Sequence, residues 1–97
     1  MLASEDILST VSQHYDTLRC FRVRRIGLFG SFARNEATDG SDLDFVVEFD
    51  EKTFDGYMDT KEYLESLFGR PVDLVTHEAI KPRIRDAILG ETVYAKG

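Results

Sequence analysis

The residues best equipped for chemistry in this chain are two aspartates one position apart, Asp42 and Asp44, at the head of the run Leu43-Asp44-Phe45-Val46-Val47. Alternate residues of a strand share a face, so the two carboxylates point the same way with Cα atoms about 6.6 Å apart. At an effective dielectric of about 20, two bare charges at that separation repel by roughly 2.5 kcal/mol. A divalent cation between them reverses the sign. Hard carboxylate oxygens suit Mg²⁺, which keeps several waters and completes its shell with substrate phosphates. With 18 acids in 97 residues, about three acid-x-acid pairs arise by chance, so the pair alone decides little. The upstream context adds to it. Gly30-Ser31 lies where a β-rich run, Val23 to Phe29, hands over to a short helical turn, Phe32-Ala33-Arg34. Free backbone N–H groups and the helix dipole favour an anion at such a corner. Glycine lets a phosphate approach the backbone, and the serine hydroxyl adds a donor. An anion cradle followed by paired carboxylates is the equipment that phosphoryl or nucleotidyl transfer requires.

The elements that must position these residues are legible from periodicity. Ser4 is a favourable N-cap with Glu5 and Asp6 in the first turn, and Ile7, Leu8, Val11, Tyr15 and Leu18 share a helical face, which predicts one helix over 4–20. Val23 to Phe29 is the first strand, and residues 35–41 form a polar loop. Leu43 to Phe49 is the second strand, with Leu43, Phe45, Val47 and Phe49 on one face and Asp42, Asp44, Val46 and Glu48 on the other. A helix follows over 55–68, with Gly69 as its C′ residue and Pro71 blocking continuation. Val72 to Thr76 is a short strand that points Asp73 and Val75 away from Val72 and Leu74. Pro82 suits the first turn of a last helix on which Ile84 and Ile88 pack, and Val93-Tyr94 adds an extended edge. Helices alternating with strands predict an α+β domain, a small mixed sheet of three to four strands flanked by helices.

The composition narrows the class. Ninety-seven residues make one domain, 1–97, and 42% hydrophobic with 31% charged residues suits a globular chain rather than a disordered one. Twelve Lys and Arg against 18 Asp and Glu leave a net charge of −6 and a pI near 4.8, which argues against broad nucleic-acid binding. The lone Cys20 forbids an internal disulfide or a cysteine-only metal cluster, and reads as a small buried hydrophobe. No apolar run approaches membrane-spanning length, and Met1-Leu2-Ala3-Ser4-Glu5-Asp6 lacks the basic start of a signal peptide, so a cytoplasmic protein is expected.

Gly30-Ser31, ten residues, then Asp42-Leu43-Asp44, within Gly-Ser-Phe-Ala-Arg…Ser-Asp-Leu-Asp-Phe-Val-Val-Glu-Phe, resembles the polymerase-β-type nucleotidyltransferase superfamily, and within it the minimal nucleotidyltransferase (MNT) domains. Residues 69–76 resemble that family's third-carboxylate strand, and residues 79–85 its terminal helix. The resemblance implies the family's fold and assigns Asp42, Asp44 and Asp73 as ligands of two catalytic Mg²⁺ ions. Asp73 would also accept the proton of the attacking hydroxyl, while Gly30, Ser31 and Arg34 would bind the triphosphate of ATP. It implies transfer of AMP to a hydroxyl, a tyrosine of a HEPN-domain ribonuclease toxin, by an antitoxin. Residue 35 is Asn where such sequences often read Gly after the arginine, and Asn is well able to share glycine's left-handed conformation.

Plainer readings stand beside these. The acids could be loop-end solubilisers, Asp73 could pair with the nearby Arg70, and Arg34 could serve only to neutralise the acidic cluster. His14 and His77 lack metal-ligand spacing, and Lys81, Arg83 and Arg85 read as a solvated helix face. Two rival functions follow: an antitoxin that neutralises its toxin by binding alone, and a stand-alone transferase acting on a small molecule or an RNA end.

Overall fold

A computed structural model describes residues 3–97; Met1 and Leu2, which entered the signal-peptide reading, lie outside the described residues. The elements run α1 (Ser4–Gln13), α2 (Tyr15–Cys20), β1 (Val23–Phe29), α3 (Gly30–Ala33), β2 (Leu43–Phe49), α4 (Phe54–Phe68), β3 (Val72–Thr76), a 3₁₀ turn (His77–Ala79), α5 (Pro82–Glu91) and β4 (Val93–Tyr94). The four strands form one mixed sheet in the order β3-β2-β1-β4, antiparallel except for the parallel pair β2–β3. That pair is joined through α4, the connection a parallel neighbour requires.

The alternation in β2 divides the sheet into two unlike faces. Leu43, Phe45, Val47 and Phe49 enter the core with Ile26 and Leu28 of β1 and Val72 and Leu74 of β3. Helices α1, α2 and α4 cover that face with Ile7, Val11, Leu18 and Leu64, and Phe68 stacks on Phe45 at 6.2 Å between ring centroids. The opposite face carries Asp44, Val46 and Glu48 from β2. On it the register sets Glu48 opposite Arg25, which bonds the carboxylate at 2.7 Å and lies over the Tyr94 ring. Gly27 is buried on this side because Thr92 and Tyr94 pass so close above it that a Cβ would collide with both.

Several local expectations need correction. The helix predicted over 4–20 is two helices, since the backbone leaves helical geometry at His14 and restarts at Tyr15. The apolar faces on either side of the break still reach the same core, which is why the periodicity looked continuous. Ala3, not Ser4, is the N-cap of α1, and the Asp6 carboxylate accepts a hydrogen bond from the Ala3 N–H. Cys20 is exposed rather than buried, because α2 ends there and turns its last residue outward. Ile84 is 43% exposed, so of the two isoleucines assigned to packing on α5 only Ile88 is partly covered. Arg24 and Arg25 are both exposed because β1 slips register between Val23 and Arg25, a bulge that no period-two reading contains.

Other signals carried through. Gly69 ends α4 in left-handed geometry at φ 64°, and at the other end of that helix the structure adds a cap the sequence reading did not name, the Thr53 hydroxyl accepting from the Gly56 N–H at 3.0 Å. Pro82 opens α5. Asn35 adopts φ 56°, the conformation that glycine would otherwise supply.

Candidate active site

The half-buried Asp44 stands one residue into β2, and the exposed Asp42 stands just before the strand, near enough for its charge to act on Asp44. Its parallel neighbour β3 is in register so that Asp44 stands directly beside Asp73. Adjacent strands lie about 4.8 Å apart, so those two carboxylates are closer neighbours than Asp42 and Asp44 are along one strand. Burial first, then the charges of Asp73 and Asp42, push the Asp44 carboxyl up to about 6 from 3.8, and Arg34 pulls it back only in part. Among the described residues none of the three aspartates takes a salt bridge. Arg70, the candidate structural partner of Asp73, lies instead over the Phe32 ring at 5.0 Å and donates to the Ser41 carbonyl at 3.4 Å. It thereby ties the corner after β1 to the residue before Asp42. That brace was missed in the sequence, since a lone arginine carries no sign of its partner.

Gly30 begins α3 at the end of β1 with φ 76°, a left-handed conformation that a side chain would strain. A Cβ there would run into the Asp44 carboxylate, so the glycine is required twice, by its backbone and by the acid beside it. Ser31 is half-buried next to it, and Arg34 is exposed at the end of the turn. The Gly30 N–H donates to the Glu91 carboxylate at 3.1 Å, and Arg34 binds the other oxygen of Glu91 at 2.7 Å and Glu36 at 3.0 Å. Glu91 is therefore part of this site although nothing in the sequence pointed to it, because it lies 61 residues from Gly30. The predicted residues Asp42, Asp44, Asp73, Gly30 and Arg34 thus meet around the ends of β1, β2 and β3.

The donor set tests the implied metal. Asp42, Asp44 and Asp73 take no salt bridge and offer hard oxygens to a divalent ion, but among the described residues no group of three or more acids, histidines or cysteines is arranged to hold a metal by itself, so the carboxylates can serve only one or two at a time. That arrangement fits Mg²⁺, which is commonly held by one or two carboxylates together with water and substrate phosphates.

Comparison with known proteins places this geometry. The nucleotidyltransferase domain family matches residues 5–95, and the chain belongs to that family. Its fold and family define an enzyme of the nucleotidyltransferase class. Within the class, the chain is 43% identical to the protein adenylyltransferase MntA of Thermococcus cleftensis over 96 residues, covering 97% of each. It superposes at a TM-score of 0.82 on a solved structure assigned to a minimal nucleotidyltransferase, with 32% identity over 95% of both chains. More distant structures share the fold: the MNT antitoxin in complex with the tri-AMPylated HEPN toxin of Shewanella oneidensis (TM-score 0.64, 18% identity, 93% and 72% covered), and a toxin–antitoxin structure with AMP-PNP (TM-score 0.71, 20% identity, 89% and 73% covered).

Proposed function

We propose that this protein is a Mg²⁺-dependent adenylyltransferase that moves AMP from ATP to a hydroxyl of a HEPN-domain ribonuclease toxin, a tyrosine hydroxyl, and so acts as its antitoxin. The observation that carries the reading is the in-register pair Asp44 and Asp73, with Asp42 near enough for its charge to act on Asp44 and the Gly30 corner against Asp44. The near-full-length similarity to an adenylyltransferase named for protein substrates supports the acceptor class, and the fold shared with an MNT antitoxin on an AMPylated HEPN toxin supports the partner.

In this reading Gly30 and Ser31 hold the β and γ phosphates and Arg34 adds charge to them. Asp42, Asp44 and Asp73 would hold two Mg²⁺ ions, which when bound stabilise the attacking and leaving oxygens of an in-line displacement. The acceptor oxygen attacks the α-phosphorus, the bond from that phosphorus to the β-phosphate oxygen breaks, and pyrophosphate leaves. Asp73, exposed at the rim, takes the hydroxyl proton. Asp44, half-buried between its neighbours, is shielded from that exchange and serves as a fixed ligand.

The test is incubation of the pure protein and its toxin with Mg-ATP, followed by intact-mass measurement of the toxin. Gain of one or more adenylyl units supports transfer, and unchanged mass with rescued growth supports neutralisation by binding alone. The double variant Asp42→Asn, Asp44→Asn should abolish the gain while keeping a native circular-dichroism spectrum. Continued transfer by that variant would refute the metal assignment.

A further inference from the structure

The Gly30 corner has an anion in it already. One oxygen of Glu91 accepts from the Gly30 N–H at 3.1 Å, and the other meets the Arg34 guanidinium at 2.7 Å. These are two of the three groups that the proposed function gives to the triphosphate, and a phosphate would use them with the same geometry of paired oxygens on N–H donors. Glu91 is a fourth acid at a corner that already gathers Asp42, Asp44 and Asp73, and the Gly30 N–H and the Arg34 guanidinium are the two groups that hold its carboxylate there. Glu91 also sits where it can leave. It ends α5 with its side chain 28% exposed, and Thr92 separates it from the β4 residues that pair with Gly27 and Leu28, so rotation of its own side chain clears the corner without unpairing the strand.

We infer that the Glu91 carboxylate occupies the place of a nucleotide phosphate and competes with the nucleotide for Gly30 and Arg34, an inference that rests on the proposed nucleotide site. Glu91 thereby satisfies the corner when no nucleotide is bound, holds Arg34 close to its working position, and lowers the affinity for nucleotide. Arg34 exchanges one anion for another on binding, without having to be recruited from solvent.

The experiment is calorimetric titration of Mg²⁺ with a non-hydrolysable ATP analogue into the full-length protein and its Glu91→Gln, Glu91→Ala and Glu36→Gln variants. Glu36 bonds Arg34 but does not touch Gly30, so Glu36→Gln removes an equal charge from the arginine while leaving the corner occupied. Both Glu91 variants should bind about tenfold tighter, the scale of one lost charge-assisted contact, and Glu36→Gln should shift affinity much less. Two-dimensional NMR gives the second readout: the Gly30 amide resonance should move on adding the analogue to the wild type. Glu91 variants that bind no tighter than wild type would overturn the inference and leave the nucleotide site standing, as would a Glu36→Gln gain of equal size. Absence of binding by every variant, each with a native melting transition, would instead remove the nucleotide site itself and the inference with it. Should Glu91→Ala melt early, the isosteric Glu91→Gln decides.

Discussion

At the scale of single residues, Asp44 is where the site's electrostatics concentrate. Its carboxyl is raised from 3.8 to about 6 by burial, Asp73 and Asp42. A carboxyl whose folded pKa is raised contributes stability that is complete below its unfolded pKa and is lost as pH rises through the folded one. Metal-free protein should therefore lose this contribution between about pH 4 and pH 6. Asp44→Asn removes the titrating charge, so its melting temperature should exceed that of the wild type above pH 6, and the difference should shrink towards pH 4. Thermal melts in chelator across pH 4–8 check the sign; a wild type that melts higher at neutral pH would contradict it. The aspartate is thus kept at a cost to the empty fold, as expected of a group whose partner arrives from outside.

At the scale of elements, the site is made by endings. Strand β1 ends at Gly30, β2 begins at Asp42–Leu43, and β3 is one residue old at Asp73. The outer edge of β3 is closed by α4: Tyr57 donates its hydroxyl to the Leu74 carbonyl, and Glu65 accepts from the Val72 N–H at 3.0 Å. The strand bearing Asp73 is thereby held against β2 and denied to foreign strands. Two glycines allow a clean comparison of what an element's end demands. Gly30 and Gly69 both adopt left-handed geometry, at φ 76° and 64°, but a Cβ on Gly69 would meet nothing within 4 Å. Gly69→Ala should cost only the backbone term of about 1 kcal/mol. Gly30→Ala pays that and must also displace the Asp44 carboxylate. It should destabilise by more in urea titrations and abolish transfer, whereas Gly69→Ala should keep activity.

At the scale of the whole molecule, one apolar layer between the sheet and α1, α2 and α4 supports everything else. The cluster of Asp42, Asp44 and Asp73 adds no stability of its own, since its charges repel. Leu64 is fully buried in that layer, and Leu64→Ala should cost roughly 3 kcal/mol. In a domain of this size that amounts to about 15 °C in Tm. Differential scanning calorimetry should show one transition at the lower temperature; two separated transitions would mean that the helices and the sheet do not share a core. None of the described helices is long and apolar enough to cross a membrane.

Much of this architecture was legible in the chain because it depends on neighbours. Period-two alternation put Asp44 on the face away from Leu43 and Phe45, Gly69 and Pro71 ended a helix, and Asn35 could take a left-handed turn, all through stereochemistry that acts over a few residues. Three features depended on contacts between distant segments. Asp73 reached Asp44 only through the parallel register of β3 on β2, which α4 closes across some 30 residues. Glu91 entered the Gly30 corner across 61 residues, and Arg70 reached the Ser41 carbonyl across 29. Periodicity says which way a side chain faces relative to its own strand or helix. Which groups it then meets is decided by how the elements pack, and that is settled by burial summed over the whole core.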